Sequence, residues 1–405
     1  MGSSAKKLLL VALGLFVIFS SAYADEWFEK ISFKGDLRHR FEWYGKESWT
    51  TDSVGNDVLE DTLHSRYRNR VRARLSLKAK PEDNLEIGMR LVTGGGDPVS
   101  TNQTFDGAFG TKGFQLDRAY FKWSPFGGLY LKGGKYGTPW ELASKAFWDG
   151  DLAVEGATVG WDGDFGSVSP FVNFNYLWVD EIKKDPADVM LYLGQGGANF
   201  AFGGAKLLVA VNYFTYTNIV DHSPLYDEDF FGNTEGTTDV EEIVIDTVID
   251  GADTTINIDT TITQEPSGGY AYGYDVLQPS FKLGLKLGDF PISLYGDLVY
   301  NINSEVSEDN MGYMFGIKLG KAKKPGSFEV SANYGALQAD CSNATFVDSD
   351  FAGGGTGGNG LKVGGAVAIT KKLTGGVTFF ANTLGPDSDT PKKYYRFQGD
   401  LKMKF

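Results

Sequence analysis

From Ile31 to the end, the chain alternates apolar and polar residues in segments of about ten. The first, "ISFKGDLRHRFEWY", sets Ile31, Phe33, Leu37, Phe41 and Trp43 on one face and Lys34, Asp36, Arg38, Arg40 and Glu42 on the other. A strand sends successive side chains to opposite sides, so each segment reads as a two-faced β-strand. The second segment pairs an apolar face of Tyr67, Asn69, Val71, Ala73, Leu75 and Leu77 with Arg66, Arg68, Arg70, Arg72 and Arg74. Sixteen such segments follow one another. Val189 to Phe202 is the least distinct, because glycine blurs its alternation. Short turns such as "KPED", "SPFGG" and "GDFP" alternate with long connections such as "GKESWTTDSVGNDVLED". One long connection, 217–272, carries an acidic insertion. Its stretch Glu241 to Pro266 alternates around Asp250-Gly251 and predicts a β-hairpin. The carboxylates of this insertion lack the spacing of a cation-binding loop, so it reads as a solvated surface feature rather than a cation or lipopolysaccharide site.

Composition changes what these strands mean. The chain has 405 residues with 53 Gly, 20 Tyr and 29 Phe, and 22% of it is charged. Beyond its first segment it has no apolar run long enough for a helical membrane span, which needs about 20 residues. A membrane barrel needs no such run, since its outer face is apolar and its inner face polar. The pattern therefore predicts an all-β, transmembrane antiparallel β-barrel of about sixteen strands, with short turns at the periplasmic rim and long loops outside.

The two termini agree. Lys6 and Lys7 precede the apolar run Leu8–Phe19 and the small-x-small site Ala22-Tyr23-Ala24. These features predict a cleaved signal peptide over residues 1–24, leaving 25–405 as the barrel. Asp25, not cysteine, follows the site, which argues against a lipoprotein. At the other end, "YYRFQGDLKMKF" aligns Tyr395, Phe397, Leu401, Met403 and Phe405 on one face. It resembles the C-terminal strand of bacterial outer-membrane barrels, and that resemblance implies a signal read by the barrel-assembly machinery.

The arginine segment now acquires a direction. A cation on the lipid face at the bilayer midplane costs about 2–4 kcal/mol, so five arginines must face a watery interior. A barrel of about sixteen strands is wide enough to leave an aqueous channel. Arg38, Arg40, Arg90, Arg118, Lys122 and Arg396 share the inward face, with Asp36 and Glu42 among fewer inward acids. The chain as a whole is acidic, with 38 Lys+Arg against 52 Asp+Glu, so the charge divides into a basic interior and acidic loops. That balance in an exported chain excludes a nucleic-acid partner.

A wide barrel calls for a constriction. The connection Gly137–Leu152 contains Pro139 and then Glu141 to Phe147, which predict a short helical turn folding inward. Glu141, Asp149 and Asp151 would then oppose the arginines and set up a transverse field that orients passing polar solutes.

The run "RYRNRVRARLSLKAKPEDNLEIGMRLVTGGGDPVSTNQTF", with "QLDRAYFKWSP" and "GKYGTPW…FWDGDLAVEGATVGW", resembles the putative-porin family of Gram-negative bacteria. The similarity covers roughly the first half of the chain beyond its leader; the second half resembles porins in pattern only. More loosely, the chain is similar to general-diffusion porins, whose third extracellular loop folds into the pore opposite an arginine cluster. Gly137–Leu152 is the third long connection here, but the usual acidic loop motif of those porins is not reproduced. The resemblance implies a homotrimer in the bacterial outer membrane, surrounded by lipid and lipopolysaccharide and passing small hydrophilic solutes and ions.

Alternatives remain within the sequence. The cationic wall and many tyrosines are compatible with an anion- or oligosaccharide-selective channel, and a closed structural or adhesive barrel is a further reading. An enzyme would need a positioned nucleophile and base. His39 falls on the lipid side and no serine motif surrounds it, so no catalytic residue is expected. His39, His64 and His222 have no metal-ligand spacing, and neither metal nor cofactor is expected. Cys341, the single cysteine, lies in a Gly/Asp/Asn-rich stretch and reads as a bystander.

Overall fold

A computed structural model of the chain describes residues 30–52, 54–60, 63–183, 187–250 and 253–405, with side chains from 242 to 259 excepted. The predicted signal peptide, residues 1–24, and Gly251 of the predicted hairpin turn lie outside the described residues.

Sixteen long strands run antiparallel. They are β1 Ile31–Lys46, β2 His64–Glu82, β3 Leu85–Thr93, β4 Phe114–Trp123, β5 Leu129–Gly137, β6 Ala153–Asp162, β7 Val168–Asp180 and β8 Val189–Phe202. The second half comprises β9 Ala205–Thr217, β10 Asp275–Leu287, β11 Phe290–Asn301, β12 Met311–Gly320, β13 Phe328–Leu337, β14 Gly358–Ala368, β15 Leu373–Leu384 and β16 Lys392–Lys404. Each pairs with the next, and β1 pairs with both β2 and β16, so the sheet closes without an edge. The closure extends through Phe405, whose N–H donates to the Gly35 carbonyl and whose carbonyl accepts the Gly35 N–H, both at 3.1 Å. A β-carbon on Gly35 would overlap the Phe405 ring, so glycine is required where the last side chain crosses β1.

Facing follows the alternation. Phe33, Leu37, Phe41, Tyr67, Leu75, Phe174, Phe315, Leu401 and Met403 are exposed on the outer surface, where lipid would cover them. Arg40, Glu42, Arg72, Asn212, Gln278 and Arg396 are buried inside. One strand breaks the rule. A β-bulge shifts the β3–β4 register between Arg90 and Leu91, and Asp117, next to the inward Arg118, also ends up buried, paired with Arg90. A bulge puts two residues opposite one, which redirects a side chain that simple alternation sends outward.

The acidic insertion forms a separate two-stranded sheet, Glu235–Asp250 with Asp253–Tyr270, somewhat longer than the predicted hairpin. Nearer the wall, residues 103–104 pair with Val71 and Arg70 of β2, and Phe105 stacks on His39 at 5.6 Å between ring centroids. His39 is thus a ring-packing residue on the outer face.

The interior is not an open tube. Trp140, Phe147 and Trp148 of loop 138–152 share one apolar cluster with Cys341, Val347 and Phe351 of loop 338–357. The second loop was not expected inside. Strand alternation says nothing of its path, and Gly353, Gly354, Gly355 and Gly357 there all have positive φ, a backbone glycine adopts readily. That run lets the loop reverse inside the barrel. Cys341 is fully buried in its packing.

Candidate functional site

Two unlike walls face each other across the lumen, with the two inward loops between them. The first wall comes from β1, β2 and β16. Antiparallel register brings Arg38 opposite Arg72, Arg40 opposite Arg70 and Glu42 opposite Arg68. Like charges placed directly opposite destabilise a sheet unless carboxylates intervene. Glu42, fully buried, bonds Arg68, accepts from Arg396 Nε at 3.0 Å and lies 3.9 Å from both Arg40 and Arg70. Asp400 holds Arg40 through two bonds of 2.7 and 2.9 Å. Asp36 bridges Arg72 at 2.9 Å and Arg74 at 2.7 Å.

The second wall, from β6 to β10, is uncharged at the same depth. Thr158 donates to Asn175 at 2.7 Å, Asn175 to Asn173 at 2.8 Å, and Asn173 to Gln195 at 3.2 Å. Gln195 then donates to Asn212 at 2.7 Å and Asn212 to Gln278 at 2.9 Å. All six are buried. Each amide has both a donor and an acceptor, so a row of them on adjacent inward positions satisfies itself.

Loop 138–152 crosses from one wall to the other. Gln195 Oε1 accepts the Glu141 N–H and Gln195 Nε2 donates to the Glu141 carbonyl, both at 2.8 Å. Asp297 of β11 accepts the Ser144 N–H at 2.7 Å, and Trp148 Nε1 donates to Gln278 at 3.1 Å. At the far end Asp151 meets Arg74 at 3.0 Å and Arg72 at 3.5 Å. Although burial opposes ionisation, those two guanidiniums hold the Asp151 carboxyl below its usual range.

The three loop acids therefore diverge. Asp151 alone meets the arginines. Glu141 lies over β8, where Gln195 grips its backbone. Asp149 turns to the other loop and accepts from Ser349 N at 3.1 Å and Ser349 Oγ at 3.3 Å. The expected helical turn at Glu141–Phe147 does not form: the Ser144 N–H goes to Asp297 and the Ala146 N–H to Ser144 Oγ rather than to carbonyls one turn back.

The loops are joined by main chain. Asp149 N donates to the Phe346 carbonyl and Asp348 N to the Ala146 carbonyl, both at 2.9 Å. Trp148 packs edge-on to Trp140 and Phe214, and stacks with Phe346. Loop 338–357 supplies acids that no alternation pattern reveals. Asp350 meets Arg396 at 2.7 Å and Arg40 at 3.2 Å, and Asp348 meets Lys362 at 2.9 Å. Despite burial, Arg396 and Arg40 hold the Asp350 carboxyl well below its usual range. Asp149 behaves oppositely: burial and the neighbouring Asp348 push it up to about 7.

The remaining sequence-selected residues lie as follows. Arg66 is exposed at the long-loop end of β2, with no ion pair among the described residues. Arg38 bonds Asn102 and lies 4.0 Å from Asp400. Arg118 sits 3.4 Å from Asp117, and Lys122 Nζ lies over the Tyr130 ring at 4.3 Å. Tyr395, Phe397, Leu401, Met403 and Phe405 form the outer face of the closing strand, with Phe397 packed against Phe41. Between the arginine wall and loop 338–357 lies a cavity of about 640 Å³, lined by Arg68, Arg70, Arg396, Tyr44 and Tyr394.

A closed sixteen-stranded barrel with an apolar belt, a charged lumen and inward loops belongs to the porin class of bacterial outer-membrane channels. The chain itself belongs to the family described as "Putative porin", whose model matches residues 20–405. Its fold is similar to that of Pseudomonas putida OprB, with a TM-score of 0.55 at 10% identity, covering 93% of this chain and 94% of that one. The Acinetobacter baumannii channel DcaP aligns with a TM-score of 0.47 at 10% identity, over 93% and 97% of the two chains. Salmonella typhi OmpF, solved with daunomycin, aligns with a TM-score of 0.48 at 10% identity, over 95% and 99%. No curated protein sequence matches it significantly.

Proposed function

We propose that the barrel is a water-filled channel for passive diffusion of small hydrophilic solutes, with a modest preference for anions. One observation carries this reading. At the arginine wall the guanidiniums of Arg38, Arg40, Arg66, Arg68, Arg70, Arg72, Arg74 and Arg396 outnumber the carboxylates of Asp36, Glu42, Asp151, Asp350 and Asp400. The Nε atoms of Arg38, Arg70 and Arg72 are buried without a hydrogen-bond partner among the described residues. Such surplus positive charge acts over a Debye length of about 8 Å at physiological salt, comparable with a loop-narrowed lumen. Partial neutralisation by Asp151 and Asp350 makes the preference modest.

Single-channel recording in a salt gradient tests it. Wild type should give a reversal potential on the anion side. Replacing Arg68, Arg70 and Arg72 by glutamine should move it toward cations, most at low salt. A strongly cation-selective wild type, or an unmoved potential, would remove the arginines from the conducting path.

In the same reading, residues 1–24 are cleaved on export, the barrel is a homotrimer in lipid and lipopolysaccharide, and the face ending at Phe405 directs assembly. Semi-native electrophoresis checks the last two points. Wild type should migrate as a heat-dissociable trimer, and deletion of Phe405 should leave aggregated chain in the periplasm. Unaltered assembly without Phe405 would refute its role.

A further inference from the structure

Away from the arginines, the lumen holds a second basic cluster built from lysine alone. Lys282 of β10, Lys318 of β12, Lys362 of β14 and Lys145 of the crossing loop line one cavity of about 350 Å³. That is near the lower end of the size range of small-ligand sites, roughly 300–1,000 Å³. Two of the four ammoniums are engaged: Lys318 with Glu329 and Lys362 with Asp348, each at 2.9 Å. Among the described residues Lys145 and Lys282 have no ion-pair partner. Asp297, behind the Ser144 backbone, offsets one further charge, so the cavity keeps a net positive balance.

The rest of the lining is hydroxyl and amide. Ser293, Tyr295, Ser331 and Asn333 face the same space. Asn333 Nδ2 donates to the Tyr295 hydroxyl at 3.1 Å, which fixes the amide's orientation. Its Oδ1 is then left buried with no donor among the described residues. A buried acceptor without a donor is costly, and a ligand hydroxyl would satisfy it.

The arginine and lysine clusters differ in what they can still bind. On the arginine side, buried carboxylates already take most of the guanidinium forks. Here the free groups are compact ammonium charges, which neutralise an oxyanion without dictating a planar bidentate geometry. Hydroxyl groups and the unpaired amide oxygen of Asn333 stand beside them. The geometry points to a binding subsite for a hydroxylated oxyanion of monosaccharide size, either a sugar phosphate or a sugar carboxylate. It rests on the lumen being a solute path: a solute passing loop 138–152 would meet this cluster on the side away from the arginines.

Calorimetric titration of the purified barrel in detergent at low salt tests it, with glucose 6-phosphate and gluconate as probes and glucose and inorganic phosphate as references. The two charged probes separate the phosphate from the carboxylate source. At least one should bind ten-fold or more tighter than glucose. The double variant Lys145→Gln, Lys282→Gln should weaken that binding about ten-fold. Asn333→Leu should weaken the sugar-bearing probe several-fold and leave inorganic phosphate unchanged, a split that general misfolding would not produce. Equal binding of glucose and the charged probes would overturn the subsite. So would loss of binding in the arginine triple variant with none in the lysine double variant, because the anion would then sit at the arginine wall. Bilayer recording of the same preparation separates the two readings. A conducting channel that binds neither charged probe refutes the subsite alone, whereas binding without conductance refutes the channel.

Discussion

The arginine wall and the amide wall occupy the same barrel and follow the same alternation, yet they solve opposite problems. On β1, β2 and β16 most inward positions are charges that need a partner from elsewhere in the chain, such as Arg40 with Asp400 or Arg74 with Asp151. On β6 to β10 the inward positions satisfy one another, from Thr158 through Gln195 to Gln278. A self-satisfied neutral wall has little left to offer a passing ion, but it makes a rigid rail. Loop 138–152 is clipped to that rail through Glu141 and Trp148. The charged wall keeps unmatched donors. In the proposed channel the neutral side anchors the constriction and the charged side sets its field.

The comparison breaks most severely at the rail. Replacing Trp148 by alanine removes a fully buried ring and its bond to Gln278. The cost should be about 3–5 kcal/mol in denaturant unfolding of the detergent-solubilised barrel. The freed loop should also raise single-channel conductance several-fold. Gln195→Leu should act in the same direction but more weakly, about 1–3 kcal/mol, by stranding the Glu141 N–H and the Asn212 side-chain Oδ1. Stability loss with unchanged conductance would place the loop outside the conducting path.

A smaller effect belongs to the joint between the loops. Asp149 titrates near 7 instead of its usual value of about 4, because burial and Asp348 disfavour its charge. The folded joint therefore holds a proton that an exposed aspartate would have released. Stability from this group is greatest at low pH, falls as pH rises from about 4 to about 7, and is level above. Gating noise should increase over that interval, and Asp149→Asn should flatten the dependence. A pH profile unchanged in the variant would exclude Asp149 as its source.

The smallest expected change sharpens the charged wall. Asp151→Asn keeps the side-chain size and the acceptor for Arg74, turns the oxygen facing Arg72 and Thr101 into an amide donor, and removes one negative charge. The reversal potential should move further toward anions, opposite in sign to the arginine triple variant and about a third or less of its size by charge alone. A shift toward cations would mean that Asp151 does not face the permeating ions.

Strand number, strand limits and facing were legible in the sequence because side-chain direction in a strand is set by the residue's own position, with period two. Even the glycine-blurred segment Val189–Phe202 forms the strand read from it. The arginines' inward direction followed from the same rule together with the cost of charge in lipid. Asp117 escaped because a bulge is a two-strand event, and its only local trace is the adjacent Asp117-Arg118 pair. The roles of Glu141 and Asp149, and the inward course of loop 338–357, depended on partners as distant as Gln195, Ser349 and Arg396. A loop has no period to project, so its path is set by which buried donors and acceptors on the walls remain to be satisfied. Only the closed barrel, by bringing β16 beside β1 and the eighth strand beneath the third loop, decides that.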